Sequence, residues 1–90
     1  MGSAKRMEKH APKRLGEKLR RIREIFGDSQ ADFLERLGSP ESILQTSISA
    51  YEKGKREPPL LILLKYAQIA NVSTDVLIDD SFDLPDGIGR

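Results

Sequence analysis

Apolar side chains recur at helical spacing through the middle of the chain and outline short helices. In the first such segment the spacing is i, i+4, i+7 and i+11, carried by Leu15, Leu19, Ile22 and Phe26. This period places one apolar stripe on a helix that ends at Gly27. Pro12 fits the first turn of that helix, where its missing N–H has no hydrogen-bond partner to lose.

A second helix is predicted over residues 30–37 by its cap, its buried positions and its stop. Ser29 is a good N-cap, and Asp32 three residues later is able to return the hydrogen bond to the backbone of Ser29. Gly38 is the expected C-terminal stop. The predicted buried side chains are Phe33, Leu34 and Leu37.

Residues 39–54 admit two interpretations. The Ser-Pro-Glu-Ser run at residues 39–42 is a helix-start pattern, so one helix of about 14 residues that ends at Gly54 fits the apolar spacing of Leu44, Ile48 and Tyr51. The alternative, which we prefer, is a short turn followed by a helix that begins near Gln45 or Thr46.

The remaining segments complete an all-α prediction of five short helices in one domain. A fourth helix is expected from Leu60 to Ala70, followed by Asn71 in a left-handed conformation, and a fifth from Ser73 or Thr74 to Ile78. We expect a basic N-terminal arm over residues 1–11, the domain over 12–78, and an acidic, poorly ordered tail over 79–90.

Charge is divided unequally along a chain whose net charge is only +1. Residues 1–25 carry nine Lys and Arg against three Glu, whereas residues 26–90 carry six positive and eleven negative groups. A basic half suggests a polyanionic partner, although a solvated basic helix face explains it as well. The arm, with Lys5, Arg6 and Lys9, is expected either to lie along DNA or only to aid solubility.

Composition lowers the probability of several classes of function. The 90 residues contain no cysteine and a single histidine, His10, so disulfides and thiolate metal sites are excluded and we expect no cofactor and no enzyme activity. The longest apolar run, Leu60–Leu64, is far shorter than the ~20 residues that span a bilayer. No membrane association is predicted, and the cytoplasm is the expected location.

The third helix carries the side chains with the clearest candidate chemistry. Its outward positions are predicted to hold short or amide-bearing residues: Gln45, Thr46, Ser47, Ser49 and Ala50. Amides and hydroxyls bond base edges in the DNA major groove, and a methyl group packs on the thymine methyl. A polar helix face is more often only a solvated surface, so this pattern alone does not decide between the two.

From Leu15 to Ile78, 64 of the 90 residues, the chain resembles the Cro/repressor-type helix-turn-helix family, also called the Xre family. The resemblance is carried by residues 15–23 (LGEKLRRIR), 29–38 (SQADFLERLG), 46–58 (TSISAYEKGKREP), 64–70 and 72–77. It implies a lambda-repressor-like bundle of five helices that binds double-stranded DNA sequence-specifically. Family members of this type are commonly homodimeric transcriptional regulators that act on a palindromic operator.

The resemblance also implies roles for individual residues. Base readout is implied for Gln45, Thr46, Ser47 and Ala50, and phosphate contacts for Gln30, Ser49, Lys53, Lys55 and Arg56. Arg23 and Glu52 match a structural ion pair between the first and third helices, which prevents the carboxylate from repelling phosphate. An exposed charge pair of little energetic value is the alternative for these two residues.

The chain departs from the family pattern at three places. About four extra residues lie between Gly38 and Glu52, Leu34 replaces the alanine that usually lets two helices approach, and Leu44 stands where a capping hydroxyl is usual. Because a larger side chain holds two helices further apart, we expect the longer turn to bridge the gap. The extra length also makes the position of the third helix an open question.

Two apolar residues, Leu61 and Ile62, occupy positions that the family generally leaves polar. We expect them to pack either on the C-terminal segment, with Phe82 and Leu84, or against a second copy of the chain. A protein-interaction adaptor or an antitoxin, which would bind a protein through Leu61, Ile62 and the acidic tail, is the alternative function.

Overall fold

The computed structural model describes residues 12–88 and has five helices in that range. Their bounds are α1 Leu15–Ile25, α2 Gln30–Arg36, α3 Gln45–Glu52, α4 Leu60–Ala70 and α5 Thr74–Ile78. No strand occurs in the described part of the chain, so the all-α prediction is confirmed. The arm predicted for residues 1–11 lies outside the described residues.

The start of α1 differs from the prediction, because Pro12 lies outside the helix and the first helical residue is Leu15. The backbone N–H groups of Lys13 and Arg14 donate to the carboxylate of Asp80, each at 3.0 Å. A carboxylate distant in sequence therefore satisfies donors that the first turn of a helix leaves unpaired. The sequence around Pro12 contains no sign of this partner.

The cap and the stop of α2 follow the sequence prediction closely. The Ser29 hydroxyl accepts from the Asp32 N–H at 3.0 Å, and the Asp32 carboxylate accepts from the Ser29 N–H at 3.4 Å. At the other end, N–H groups of Gly38 and Ser39 return to carbonyls of the last turn, both at 2.9 Å. This is the double hydrogen bond that closes a helix at a left-handed residue.

The core lies where α1, α3, α4 and α5 meet, and α2 packs on it through Phe33 and Leu37. The Phe33 and Tyr66 rings contact each other with centroids 4.9 Å apart. Leu34 is half-buried against this core, so the larger side chain is accommodated between α2 and its neighbours. The core also includes Ile43, from the turn before α3.

Leu61 and Ile62 were both expected to pack either on the C-terminal segment or against a second copy of the chain, and the structure corrects the second alternative for Ile62. Its side chain is only 3% exposed, because Ile62 lies on the same face of α4 as buried Tyr66, one turn later. Leu61, by contrast, is 73% exposed. The exposed apolar patch of α4 therefore consists of Leu60, Leu61 and Leu64.

The C-terminal segment, residues 79–88, is not the loose acidic tail that its composition predicts. It packs back on α1, with Ile88 6% exposed in the core and Leu84 half-buried against it. The Arg14 guanidinium donates to the Asp80 carbonyl at 2.9 Å and to the Asp83 carboxylate at 2.6 Å. Ion pairing with α1 thus offsets the acidic repulsion that suggested disorder.

Lys18 connects α1 to the end of α5. Its buried ammonium group donates to the carbonyls of Val76 at 2.7 Å and Asp79 at 3.0 Å. These carbonyls lie at the C-terminal end of α5, where a cation is favourable. Burial lowers the pKa of Lys18.

We expect Ile88→Ala to reduce the free energy of unfolding by about 2 kcal/mol, the lower end of the cost of truncating a buried isoleucine. Urea denaturation measures this change. Phe82→Ala, which truncates a half-exposed side chain of the same segment, is the matched control and should have a smaller effect. Equal stability of Ile88→Ala and the wild type would contradict the docking of the segment.

Candidate nucleic-acid interface

Helix α3 begins after a non-helical connection of eight residues, 37–44, and not as part of a longer helix. Leu44 is its N-cap residue, with extended backbone angles of φ −124° and ψ 173°. The Leu44 N–H donates to the Ser47 hydroxyl at 3.0 Å. This bond is the reciprocal half of a capping box, and the leucine side chain at residue 44 supplies no oxygen to accept from the first turn of the helix.

The exposure of α3 divides its side chains into an inner and an outer face. Ile48 and Tyr51 are buried in the core, Gln45 and Thr46 are exposed, and Ala50 is partly exposed. The phosphate candidate Ser49 is also partly exposed.

Ser47 needs a correction, because base readout was predicted for it. Its side chain is only 6% exposed: it lies one turn before Tyr51 on the inner face, where its hydroxyl binds the Leu44 N–H. The Tyr51 hydroxyl is buried as well, so it is not placed to reach a phosphate. Burial raises the pKa of the Tyr51 phenol.

The ion pair between Arg23 of α1 and Glu52 of α3 is present. Two guanidinium nitrogens donate to the two carboxylate oxygens, at 2.7 Å and 2.9 Å, and the Glu52 side chain is only 5% exposed. Arg23 also donates to the Asp28 carbonyl at 2.9 Å, and the Gln30 amide lies 3.3 Å from Glu52. Hydrogen bonding to Glu52 raises the pKa of Arg23.

Gly16 allows α1 and α3 to approach closely beside this pair. A Cβ atom at residue 16 would lie 2.6 Å from the Glu52 carbonyl oxygen and 2.8 Å from that of Tyr51. No side chain fits there unless one helix moves. Sequence reasoning assigned no role to Gly16, although a glycine inside a helical pattern is a signal of close packing.

The chain turns away from α3 at Gly54, whose φ of +74° is costly for residues with a side chain. The turn presents three exposed cations, Lys53, Lys55 and Arg56. Within residues 12–88 no carboxylate forms a salt bridge with any of the three. Their charge is therefore available to a phosphate backbone.

Two of the three acidic residues near this surface are engaged by neighbouring groups. Asp28 accepts from Arg36 at 2.6 Å and 3.1 Å, and this bond lowers the pKa of the Asp28 carboxyl. Arg36 also lies over the Phe26 ring, 4.4 Å from its centroid. Asp32 accepts from the Ser29 backbone, whereas Glu57 is exposed. The ion pair with Arg36 weakens the repulsion that Asp28 would exert on phosphate.

Residues 12–88 contain no cluster of three or more acidic or histidine side chains arranged to hold a metal ion. None of the five helices is long and apolar enough to cross a membrane.

A family model described as helix-turn-helix matches residues 19–77, about two-thirds of the chain. The chain therefore belongs to the Cro/repressor-type (Xre) helix-turn-helix family, whose domain is a DNA-binding and non-enzymatic one. Membership indicates a DNA-binding regulator. No curated protein and no solved structure matches the chain significantly.

We expect Arg23→Met to destabilise the domain by about 3 kcal/mol, because it leaves the nearly buried Glu52 carboxylate without its counter-ion. Thermal or urea unfolding measures the change. Arg20→Met is the matched control in the same helix: it removes an exposed pair with Glu24 at 3.0 Å, and should cost less than about 1 kcal/mol. Similar losses in the free energy of unfolding for the two variants would show that the buried Arg23 pair stabilises the fold no more than the exposed Arg20 pair does.

Proposed function

We propose that the protein is a sequence-specific transcriptional regulator that binds a palindromic operator as a homodimer, with α3 in the major groove. The observation that carries this proposal is the outer surface at the start of α3. Gln45 and Thr46 are exposed there, on a helix whose other side is fixed by Ile48 and Tyr51. A rigid helix with a short polar outer face fits the groove-reading geometry of this motif.

The proposed contacts fall into two groups. Gln45, Thr46 and Ala50 read base edges, and Ser47 is omitted because it is buried. An amide bonds an adenine edge through two atoms, and the methyl of Ala50 packs on a thymine methyl. Backbone phosphates are bound by a second set: Gln30, Ser49, Lys53, Lys55 and Arg56.

The position of Gln30 supports its inclusion among the phosphate contacts. Its amide nitrogen lies 3.3 Å from Glu52, which orients the side chain, while the residue remains partly exposed. A side-chain amide has two N–H donors. One is therefore left for a phosphate oxygen after the bond to Glu52 is made.

The exposed leucine patch of α4, Leu60, Leu61 and Leu64, is the proposed dimer contact in place of Leu61 with Ile62. Burial of a leucine side chain contributes about 1.5–3 kcal/mol, so burial of these three leucines between two copies of the chain would stabilise a dimer. Leu60 follows the cationic loop by four residues. A two-fold axis through this patch would relate two copies of α3 by the symmetry of a palindromic site, whose half-sites lie about one helical turn of DNA apart.

The adaptor or antitoxin alternative uses the same leucines for a different protein. The exposed patch supports it, but the acidic segment is less available than a free tail, because Asp80 and Asp83 contact Arg14. Selection of bound sequences from a random DNA pool decides between the functions. A two-fold symmetric consensus supports the operator proposal, and the absence of any enriched sequence contradicts it.

We expect Gln45→Ala to weaken binding to the selected sequence by about 1–3 kcal/mol and to relax the preference for one base. Lys55→Ala should weaken binding to selected and random DNA equally and reduce the salt slope by about 1. Fluorescence anisotropy at several salt concentrations measures both effects. Gln68→Ala, in α4, removes another exposed amide and serves as control. Equal losses on selected and random DNA for Gln45→Ala would contradict a role in base readout.

We expect Leu61→Asp to shift the protein from dimer to monomer, because it places a charge in the proposed apolar contact. Analytical ultracentrifugation measures the shift, and circular dichroism checks that the helices are intact. Ile78→Asp alters an exposed apolar residue of α5 and should leave the dimer unchanged. A dimer that survives Leu61→Asp, or a monomeric wild-type protein at micromolar concentration, argues against this contact.

A further inference from the structure

Leu44 is a large apolar side chain at the start of the candidate reading helix, and it is 66% exposed. It directly precedes Gln45. An exposed leucine is unremarkable by itself. What distinguishes Leu44 is that the surrounding structure holds it in a defined position without using its side chain.

The backbone of Leu44 is held by three hydrogen bonds. Its N–H donates to the Ser47 hydroxyl at 3.0 Å, and its carbonyl accepts from the N–H groups of Ser47 at 2.9 Å and Ile48 at 3.3 Å. The preceding residue, Ile43, is buried in the core. Successive side chains of an extended segment point to opposite sides. Anchoring of Ile43 therefore directs Leu44 outward.

Stability of the helix start does not explain a leucine at this position. Serine, threonine, aspartate and asparagine are the favoured N-cap residues, and aliphatic residues are among the worst. The Ser47 hydroxyl accepts from the Leu44 N–H, so this bond is made whichever side chain residue 44 carries. The leucine side chain is therefore free to serve another role.

We infer that Leu44 is a specificity-determining residue that packs on the C5-methyl group of a thymine beside the bases read by Gln45 and Thr46. The inference rests on the proposed function. In the major groove the thymine methyl is the apolar group on a base-pair edge, so it is the natural partner of an aliphatic side chain.

The surroundings of Leu44 favour DNA over a protein as the partner. Residues 41, 42, 45 and 46, its neighbours along the chain, are polar and exposed, so Leu44 is not part of a continuous apolar run. A protein-docking surface is usually a contiguous apolar patch. The same helix leads into Lys53, Lys55 and Arg56, which form no salt bridge with any carboxylate of residues 12–88 and suit a polyanion.

Replacement of thymine by uracil, one position at a time, in the selected operator tests this inference, because uracil keeps the base pair and lacks only the methyl group. For the wild-type protein we expect each half-site to contain a position, contacted by Leu44, where uracil weakens binding about fourfold, the value of one buried methyl group. Leu44→Ala should bind the thymine and uracil forms of that position equally. Any thymine that contacts Ala50 should keep its penalty in Leu44→Ala.

Two variants separate recognition from folding. Leu44→Ser introduces a favoured capping residue, so we expect an unchanged or higher melting temperature together with loss of the same uracil penalty. Ile78→Ala truncates an exposed aliphatic side chain on α5 and should keep the penalty.

The inference is overturned, while the operator remains established, if every uracil penalty of the wild-type protein persists in both Leu44 variants, or if the wild-type protein shows no penalty at any thymine. Failure to select any DNA sequence overturns the proposed function and this inference together. The two failures are thus distinguishable.

Discussion

The bidentate ion pair between Arg23 and Glu52 is the interaction on which the placement of α3 depends. It ties the last residue of α3 to the last turn of α1, and the Asp28 carbonyl and the Gln30 amide add further hydrogen bonds to the pair. Removing two charges from water is expensive, and the bidentate geometry together with these added bonds offsets that cost. The pair therefore forms only when α1, α2 and α3 hold these positions relative to one another.

Close packing beside the pair sets the distance between the same helices. At Gly16 the backbone of α1 meets the carbonyls of Tyr51 and Glu52 with no room for a Cβ. Tyr66 of α4 lies fully buried nearby, where burial and then the Glu52 carboxylate raise the pKa of its phenol. The inner side of α3 is thus held by charge, shape and apolar contact together, which leaves its outer side as a rigid surface.

Internal ion pairs reduce the repulsion between several carboxylates of the protein and an anionic partner. Glu52 is neutralised by Arg23, Asp28 by Arg36, and Asp83 by Arg14. The cations left unpaired after α3 lie in the loop around Gly54. The net charge of the chain therefore does not predict where positive charge is exposed, because tertiary ion pairs determine which charged side chains are neutralised.

The elements whose signals are local were predictable from the sequence. The cap at Ser29, the stop at Gly38, the left-handed Asn71 and the bounds of α4 depend on residues within one helical turn, and each is observed. The family motif likewise identified the Arg23 and Glu52 partners.

Long-range contacts decided the rest. Asp80 caps α1 across 66 residues, Ile88 enters the core from a segment whose composition suggested a loose tail, and the packing of α3 on the core turns Ser47 inward. The inward position of Ile62 depends on which face of α4 meets the core. Local propensity determines most helix boundaries, because its interactions lie within a few residues, whereas the start of α1 depends on the distant Asp80. The rotation of each helix, and hence which polar side chains reach solvent, is determined only when all the apolar faces are buried at once.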